Sequence, residues 1–201
     1  MRKRLSTILV LAGSAALVWC ATVWTGAALF EKYQARQWNP PAAATVPVSR
    51  AARAAPVPLA PPKLHDVIAW IEIPRLSIST AVLEGDDDVA LDLGAGHIPG
   101  TALPSAAGNI GIAAHRDSFF RSLGGIEPND RIRLRTQNGD WDYTVESTRI
   151  VKPSEVGVLA NSSQPELTLV TCYPFHYVGA APLRFIVRAR RALLMNAENT
   201  P

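Results

Sequence analysis

Cys172 is the only cysteine beyond the first thirty residues, and it follows directly on the β-like run Leu167-Thr168-Leu169-Val170-Thr171. Upstream, His115 ends the apolar run Gly108-Asn109-Ile110-Gly111-Ile112-Ala113-Ala114, immediately before the polar pair Arg116-Asp117. Downstream, Arg184 stands inside Leu183-Arg184-Phe185-Ile186-Val187. A thiolate attacks carbonyl carbon far better than a hydroxyl does, but a cysteine with an ordinary pKa of about 8.5 needs a base or a cation beside it. His115 is the candidate proton partner. Cleaving an amide also requires positive charge where the carbonyl oxygen becomes an oxyanion, and a permanently charged arginine can supply it. Nucleophile, proton carrier and oxyanion partner together make an acyl-transfer site. Taken singly, each residue has a plainer reading: a small core thiol, a satisfied strand-end histidine, an arginine facing solvent.

The elements that must position these residues are mostly strands. Val67 to Ile73 and Leu76 to Leu83 are candidates, and in the second apolar residues alternate with small polar ones as in a half-buried strand. Ile110 to Ala114, Arg131 to Thr136, Asp140 to Ile150, Leu167 to Thr171 and Leu183 to Ala189 complete the set, with Asn138-Gly139 as a hairpin signal between two of them. Ile132 and Leu134 alternate with arginines, and Trp141, Tyr143 and Val145 with Asp140, Asp142 and Thr144, so these strands should each have one wet face. Helical signal is confined to short pieces at Asp87 to Leu93, Asp117 to Leu123 and Pro153 to Leu159. Many short strands punctuated by Gly and Pro predict a mostly β fold, a sandwich or a closed barrel.

With 201 residues the chain has room for one ordinary domain and extensions. Leu5 to Phe30 carries no charged residue, and at about 1.5 Å per residue it exceeds a hydrocarbon thickness of about 30 Å. A transmembrane helix is expected there, with Arg2, Lys3 and Arg4 on the cytoplasmic side and the rest outside. A cleaved signal peptide, cut near Thr25-Gly26-Ala27, is the alternative. Residues 1–30 thus read as stub and anchor. Residues 31–63, holding seven of the sixteen prolines and much alanine, read as a spacer. Residues 64–191 read as the catalytic domain and 192–201 as a tail. The net charge of +3 owes much to the N-terminal basic cluster, so nucleic acid is not an expected partner. Cys20 lies in the apolar segment, which leaves Cys172 no disulfide partner within its domain.

The local words around these residues resemble the sortases, most closely the class D type. They are Gly96-His97-Ile98-Pro99-Gly100-Thr101 with Ala102-Leu103-Pro104, then Gly108 to Asp117, Thr168-Leu169-Val170-Thr171-Cys172, and Leu183-Arg184-Phe185-Ile186-Val187. They cover nearly all of Val67 to Arg190. Ala114 departs from the pattern, since family members often carry glycine before the histidine. The resemblance implies an eight-stranded closed β-barrel and a cysteine transpeptidase that acts on a C-terminal sorting peptide of the LPxTG type. Carried over residue by residue, Cys172 would be the nucleophile, His115 the general acid and then base, and Arg184 the oxyanion and substrate-positioning group. It also implies as partners a substrate protein with a C-terminal sorting signal and an amine acceptor, either a peptidoglycan precursor or another protein. No cofactor is implied.

His97 and Thr171 are expected beside the site without reacting, although His97 reads equally well as a cap on the Gly96 to Gly100 turn. His176 belongs to a rim loop. Asp86-Asp87-Asp88 lacks the spacing of a metal-ligand loop and reads as a solvated turn, so no metal is assigned. Two rival functions remain. An exported L,D-transpeptidase resembles a Ser-x-Gly-Cys-x-Arg pattern, whereas here Tyr173-Pro174 comes after the cysteine and the arginine is distant. A non-catalytic anchored β-domain would use Cys172 as filler. Papain-like peptidases place cysteine before histidine, the reverse of the order here.

Overall fold

The computed structural model describes residues 13–15, 17–22, 61–104 and 106–192. The chain divides into two compact units, Met1–Asn39 and Pro40–Pro201. In the first, the described residues are helical and exposed. Among the described residues no helix is long and apolar enough to cross a membrane. Most of the segment expected to span one, 5–30, lies outside the described residues, as do nearly all of the spacer and all but the first residue of the tail.

The second unit is built on eight strands: β1 (Val67–Ile73), β2 (Ile78–Glu84), β3 (Ala95–His97), β4 (Asn109–Ala113), β5 (Arg131–Thr136), β6 (Gly139–Val151), β7 (Glu166–Tyr173) and β8 (Leu183–Arg191). They close into a barrel in the order β1-β2-β3-β4-β7-β8-β6-β5. Closure leaves no unpaired sheet edge. Two pairs are parallel, β2 with β3 and β4 with β7. The first parallel pair needs a crossover, which α1 (Asp88–Leu93) supplies. Asp87 starts that helix as its N-cap, accepting from the Ala90 amide at 3.1 Å, so one member of the acidic run is a helix cap.

Alternation delivers the interior. Ile71, Ile73, Ile132, Leu134, Leu167 and Leu169 are fully buried in one core cluster, and each such side chain is worth about 1.5–3 kcal/mol relative to exposure. Along β6 the alternation holds as far as Val145 and then breaks at a register shift between Val145 and Ser147, where β6 pairs with β8. A bulge of this kind bends a strand and re-aims the side chains beyond it.

Several expected boundaries shift. The strand read from Leu76 starts at Ile78, because Pro74–Leu76 forms a 3-10 turn with proline at its start and Ser77 in the left-handed region. That strand is not half-buried: Thr80, Ala81, Val82 and Leu83 are all buried, both faces being covered. The helical piece expected at Asp117 to Leu123 is a set of turns leading into a 3-10 helix at Arg121–Gly125. The Gly96 to Gly100 stretch opens with β3 rather than a turn. A Cβ on Gly96 would collide with the Gly85 carbonyl oxygen, so only glycine lets this strand approach. At the β5–β6 hairpin Thr136 pairs with Gly139, which leaves Gln137 and Asn138 as the loop. Gly139 supplies the positive φ of 124° at the start of β6.

Candidate active site

The parallel pairing of β4 with β7 organises the site. Asn109 is level with Glu166, and the register runs unbroken to Ala113 level with Val170. Beyond the last paired residues the two strands stay together: the Ala114 amide donates to the Val170 carbonyl at 3.2 Å, and the Thr171 hydroxyl donates to the Ala114 carbonyl at 2.7 Å. Carried on by one more residue, this register sets His115 level with Cys172. On the other flank of β7, Cys172 is the antiparallel register partner of Arg184 on β8. His115 just beyond the end of β4, Cys172 on β7 and Arg184 on β8 therefore form a lateral row across the sheet, whose neighbouring strands are spaced about 4.8 Å apart. All three line one cleft of about 330 Å³.

Every second residue of these strands shares that face. Ala113 on β4, Val170 on β7 and Ile186 on β8 form its apolar floor, while Thr171 is buried and locks the strand ends together. One wall is the β6–β7 connection with its 3-10 turn Val156–Leu159. The buried amide of Asn109 ties that wall down, donating to the carbonyls of Val158 and Ala160 at 3.2 Å each while its oxygen accepts from Thr168 at 2.7 Å. Arg188 donates to the same Val158 carbonyl at 3.0 Å. Gly111 allows the close approach of this wall and of the 98–101 loop, since a Cβ there would lie 3.0 Å from both Leu159 and Thr101.

Cys172 is a free, half-buried thiol. His115 is also half-exposed, and its Nε2 lies 3.8 Å from Asp92 Oδ1 on α1. Asp92 itself is largely exposed. Arg184 Nη1 donates to the carbonyls of Leu183 and Ala181 at 3.0 and 3.2 Å, which fixes the side chain. A guanidinium carries five N–H donors, so others remain for a bound carbonyl. A thiol with an imidazole on one side and a guanidinium on the other can form and release an acyl group.

His97 does not line the cleft. It is buried at the end of β3, with Nδ1 2.9 Å from Glu84 Oε2 and Nε2 3.0 Å from the Ala102 carbonyl and 3.1 Å from Thr101 Oγ1. The single Thr101 hydroxyl proton goes to Ile98 O at 2.7 Å, so Nε2 must be the donor in this cluster. The next residue, Ile98, does line the cleft. His176 is exposed on the β7–β8 loop.

Sequence reasoning missed Arg116, whose guanidinium donates to the carbonyls of Pro174, Tyr177 and Gly179 at 3.0, 2.7 and 3.0 Å. It clamps the β7–β8 loop to the segment that carries His115. Asn109 and Asp92 were missed as well. Asn109 sits inside one of the family-like words, but nothing local marks it as the bolt of a distant loop.

A model of the sortase domain matches residues 71–192. The chain is 36% identical over 131 residues to Sortase D of Bacillus subtilis (strain 168), covering 65% of this chain and 66% of that protein. It is 27% identical over 110 residues to Sortase A of Bacillus anthracis, covering 53% of this chain and 52% of that one. Its matched part thus spans between about half and two thirds of these curated relatives. Among solved structures, a Clostridium perfringens sortase D5 transpeptidase superposes with a TM-score of 0.60 at 28% identity, covering 66% of this chain and 82% of that one. Sortase A from Corynebacterium diphtheriae does so with a TM-score of 0.61 at 28% identity, covering 67% and 64%. The matched span holds every strand of the barrel beyond the first few residues of β1, together with His115, Cys172 and Arg184, and the chain belongs to the sortase family.

Proposed function

We propose that the protein is a membrane-anchored cysteine transpeptidase that cleaves an LPxTG-like sorting motif through a thioacyl-enzyme intermediate and transfers the acyl group to an amine. The observation that carries this reading is the lateral row of His115, Cys172 and Arg184 on one cleft face. In the proposed reaction the Cys172 sulfur, as thiolate, attacks the carbonyl carbon of the motif threonine while the guanidinium of Arg184 faces the developing oxyanion. The C–N bond breaks as the His115 imidazolium gives its proton to the departing amine, leaving a thioester on Cys172 and a neutral imidazole. An incoming amine then attacks the thioester and loses a proton to His115. Cys172 leaves as thiolate, which restores the starting ion pair.

Under this reading the substrate is a protein with a C-terminal sorting signal, and the acceptor is a peptidoglycan precursor or another protein. Residues 1–30 anchor the chain in the plasma membrane, 31–63 act as spacer, and 64–191 work outside the cytoplasm. Nothing at the cleft favours the L,D-transpeptidase alternative: Cys172 is followed by Tyr173-Pro174, and its arginine comes from the neighbouring strand rather than two residues on.

The test is mass spectrometry of the protein with a Leu-Pro-x-Thr-Gly peptide and an oligoglycine amine. The expected products are an acyl adduct on Cys172 and a ligated peptide, both lost in Cys172→Ala with an unchanged circular dichroism spectrum. Turnover by folded Cys172→Ala would overturn the mechanism. Absence of any adduct or cleavage in the parent across a peptide library would favour a binding domain.

A further inference from the structure

The sheet face that carries the catalytic cleft continues beyond it. On β8, Arg184, Ile186 and Arg188 stand at every second position, and their register partners on β6 are Val151, Arg149 and Ser147. Side chains two apart on a strand share a face, so these six stand together. Val151, Arg184 and Ile186 line the cleft. Ser147, Arg149 and Arg188 line a second groove of about 610 Å³ that shares Ile186, Glu155 and Val158 with the cleft. The two depressions are adjoining parts of one channel along β8.

The charges of this groove are unbalanced. Elsewhere on the barrel wall arginines meet carboxylates: Arg131 and Arg133 on Asp142, Arg135 on Glu72, Arg190 on Glu146. Arg188 is similarly held, 3.4 Å from Glu166 and bonded to the Val158 carbonyl. Arg149 is exposed, and no carboxylate pairs with it among the described residues. Among the described residues the one carboxylate lining the groove is Glu155, whose oxygen accepts from the Lys152 amide at 3.0 Å. A free guanidinium fork in a groove is suited to a carboxylate.

The order of the catalytic row says which part of a substrate passes here. His115 lies on the β4 side of Cys172 and would protonate the departing amine, so the leaving half of the peptide lies on that side. The acyl half then extends to the β8 side. Arg149 is level with Ile186, two residues or about 7 Å along β8 from the level of Arg184 and Cys172. β6 lies two strand spacings, about 10 Å, across the sheet from β7, so Arg149 stands about 12 Å from Cys172, or about four extended residues at about 3.3 Å each. An extended peptide with its scissile carbonyl at Cys172 therefore reaches the groove after about four residues.

We infer that this groove is an upstream subsite that takes an acidic residue of the substrate protein just N-terminal to the cleaved motif, with Arg149 as the partner of its carboxylate. The inference rests on the peptide-cleaving reading of the cleft.

The test uses three peptides that share the Leu-Pro-x-Thr-Gly core and carry Glu-Glu, Gln-Gln or Lys-Lys immediately upstream of it. The parent protein should cleave the Glu peptide with a kcat/KM about three- to fivefold above that of the Gln peptide, the margin shrinking as salt is raised. In Arg149→Ala the ratio should fall to near one, and in Arg149→Glu the Lys peptide should become the preferred one. A loss of fold would not produce that inversion. Equal kcat/KM for Glu and Gln peptides in the parent would overturn the inference while leaving the catalytic reading intact. If the parent cleaves none of the three, the catalytic reading fails separately, and fluorescence anisotropy of the same peptides on Cys172→Ala decides the groove. A Glu preference there that Arg149→Ala removes supports it, and binding without preference overturns it.

Discussion

Cys172 and Arg184 face each other as register partners across the antiparallel β7–β8 pair, the thiol and the guanidinium projecting from the same face into one cleft. Directly opposed residues on such a pair have Cβ atoms only about 4.5–5.5 Å apart, so the positive charge is held beside the carbon that Cys172 would attack. Lysine at 184 would keep the charge but lose the planar fork, which here must bond its own loop carbonyls and a substrate oxygen at once. Arg184→Lys should lose about 10²–10³ in steady-state turnover while still forming some acyl adduct in single-turnover mass spectrometry. Parent-like turnover would make Arg184 a wall residue and place the oxyanion donor elsewhere.

His115→Ala should be nearly inactive on amide substrates, the loss of a general acid costing about 10²–10⁴. A thioester analogue of the scissile bond has a leaving group that departs without a proton. Acylation of His115→Ala by such an analogue should recover relative to the amide. An amide rate within a few fold of the parent would assign the proton transfer to another group.

Thr171 bolts the two strand ends together through its 2.7 Å bond to the Ala114 carbonyl, next to the residues that present His115 and Cys172. Thr171→Val keeps the shape and strands a buried carbonyl, at a cost of about 1–3 kcal/mol. Urea unfolding should show that loss, and kcat should fall more than KM changes because the lateral row loosens. Thr171→Ser, which keeps the hydroxyl, should restore both. Equal stability of the Val variant and the parent would show that the bond contributes nothing.

Acid should unfold the barrel through its paired aspartates. The Arg75 guanidinium bonded to Asp130 holds that carboxyl below its ordinary value of 3.8, and Arg131 does the same for Asp142. A depressed carboxyl gives its full stabilisation above the ordinary value and loses it as pH falls through the folded-state value. The urea midpoint should therefore stay level from neutral pH to about pH 5 and decline below about pH 4. Asp130→Asn should lower the midpoint at pH 7 and flatten the acid decline. An unchanged acid decline in that variant would assign the effect to other carboxyls.

Much of the barrel is legible in single segments, because a strand with one buried face writes its period of two into the chain. Arg131 to Thr136 alternates as its burial does, and Leu167 to Thr171 and Leu183 to Ala189 lie within the observed β7 and β8. β3 escapes this reading, since three residues, one of them glycine, carry no period. β2 misleads it, because both of its faces are covered and its start is set by Pro74 and Ser77.

The residues of the candidate site are recognisable in the chain itself: a lone thiol after a β-run, a histidine after another, an arginine inside a third, each within words that resemble one family. What the chain by itself determined is this set of residue types and the short strands that carry them. Only the tertiary structure decided their order across the sheet. β4 and β7 are far apart in sequence and parallel, and their register is fixed by barrel closure and by bonds such as Thr171 to Ala114. The same non-local pairing sets Arg149 beside Ile186 at the cleft's edge. Side-chain period is a property of neighbours along the chain and survives in the sequence. Register is a property of neighbours across the sheet, and it exists only once the barrel has closed.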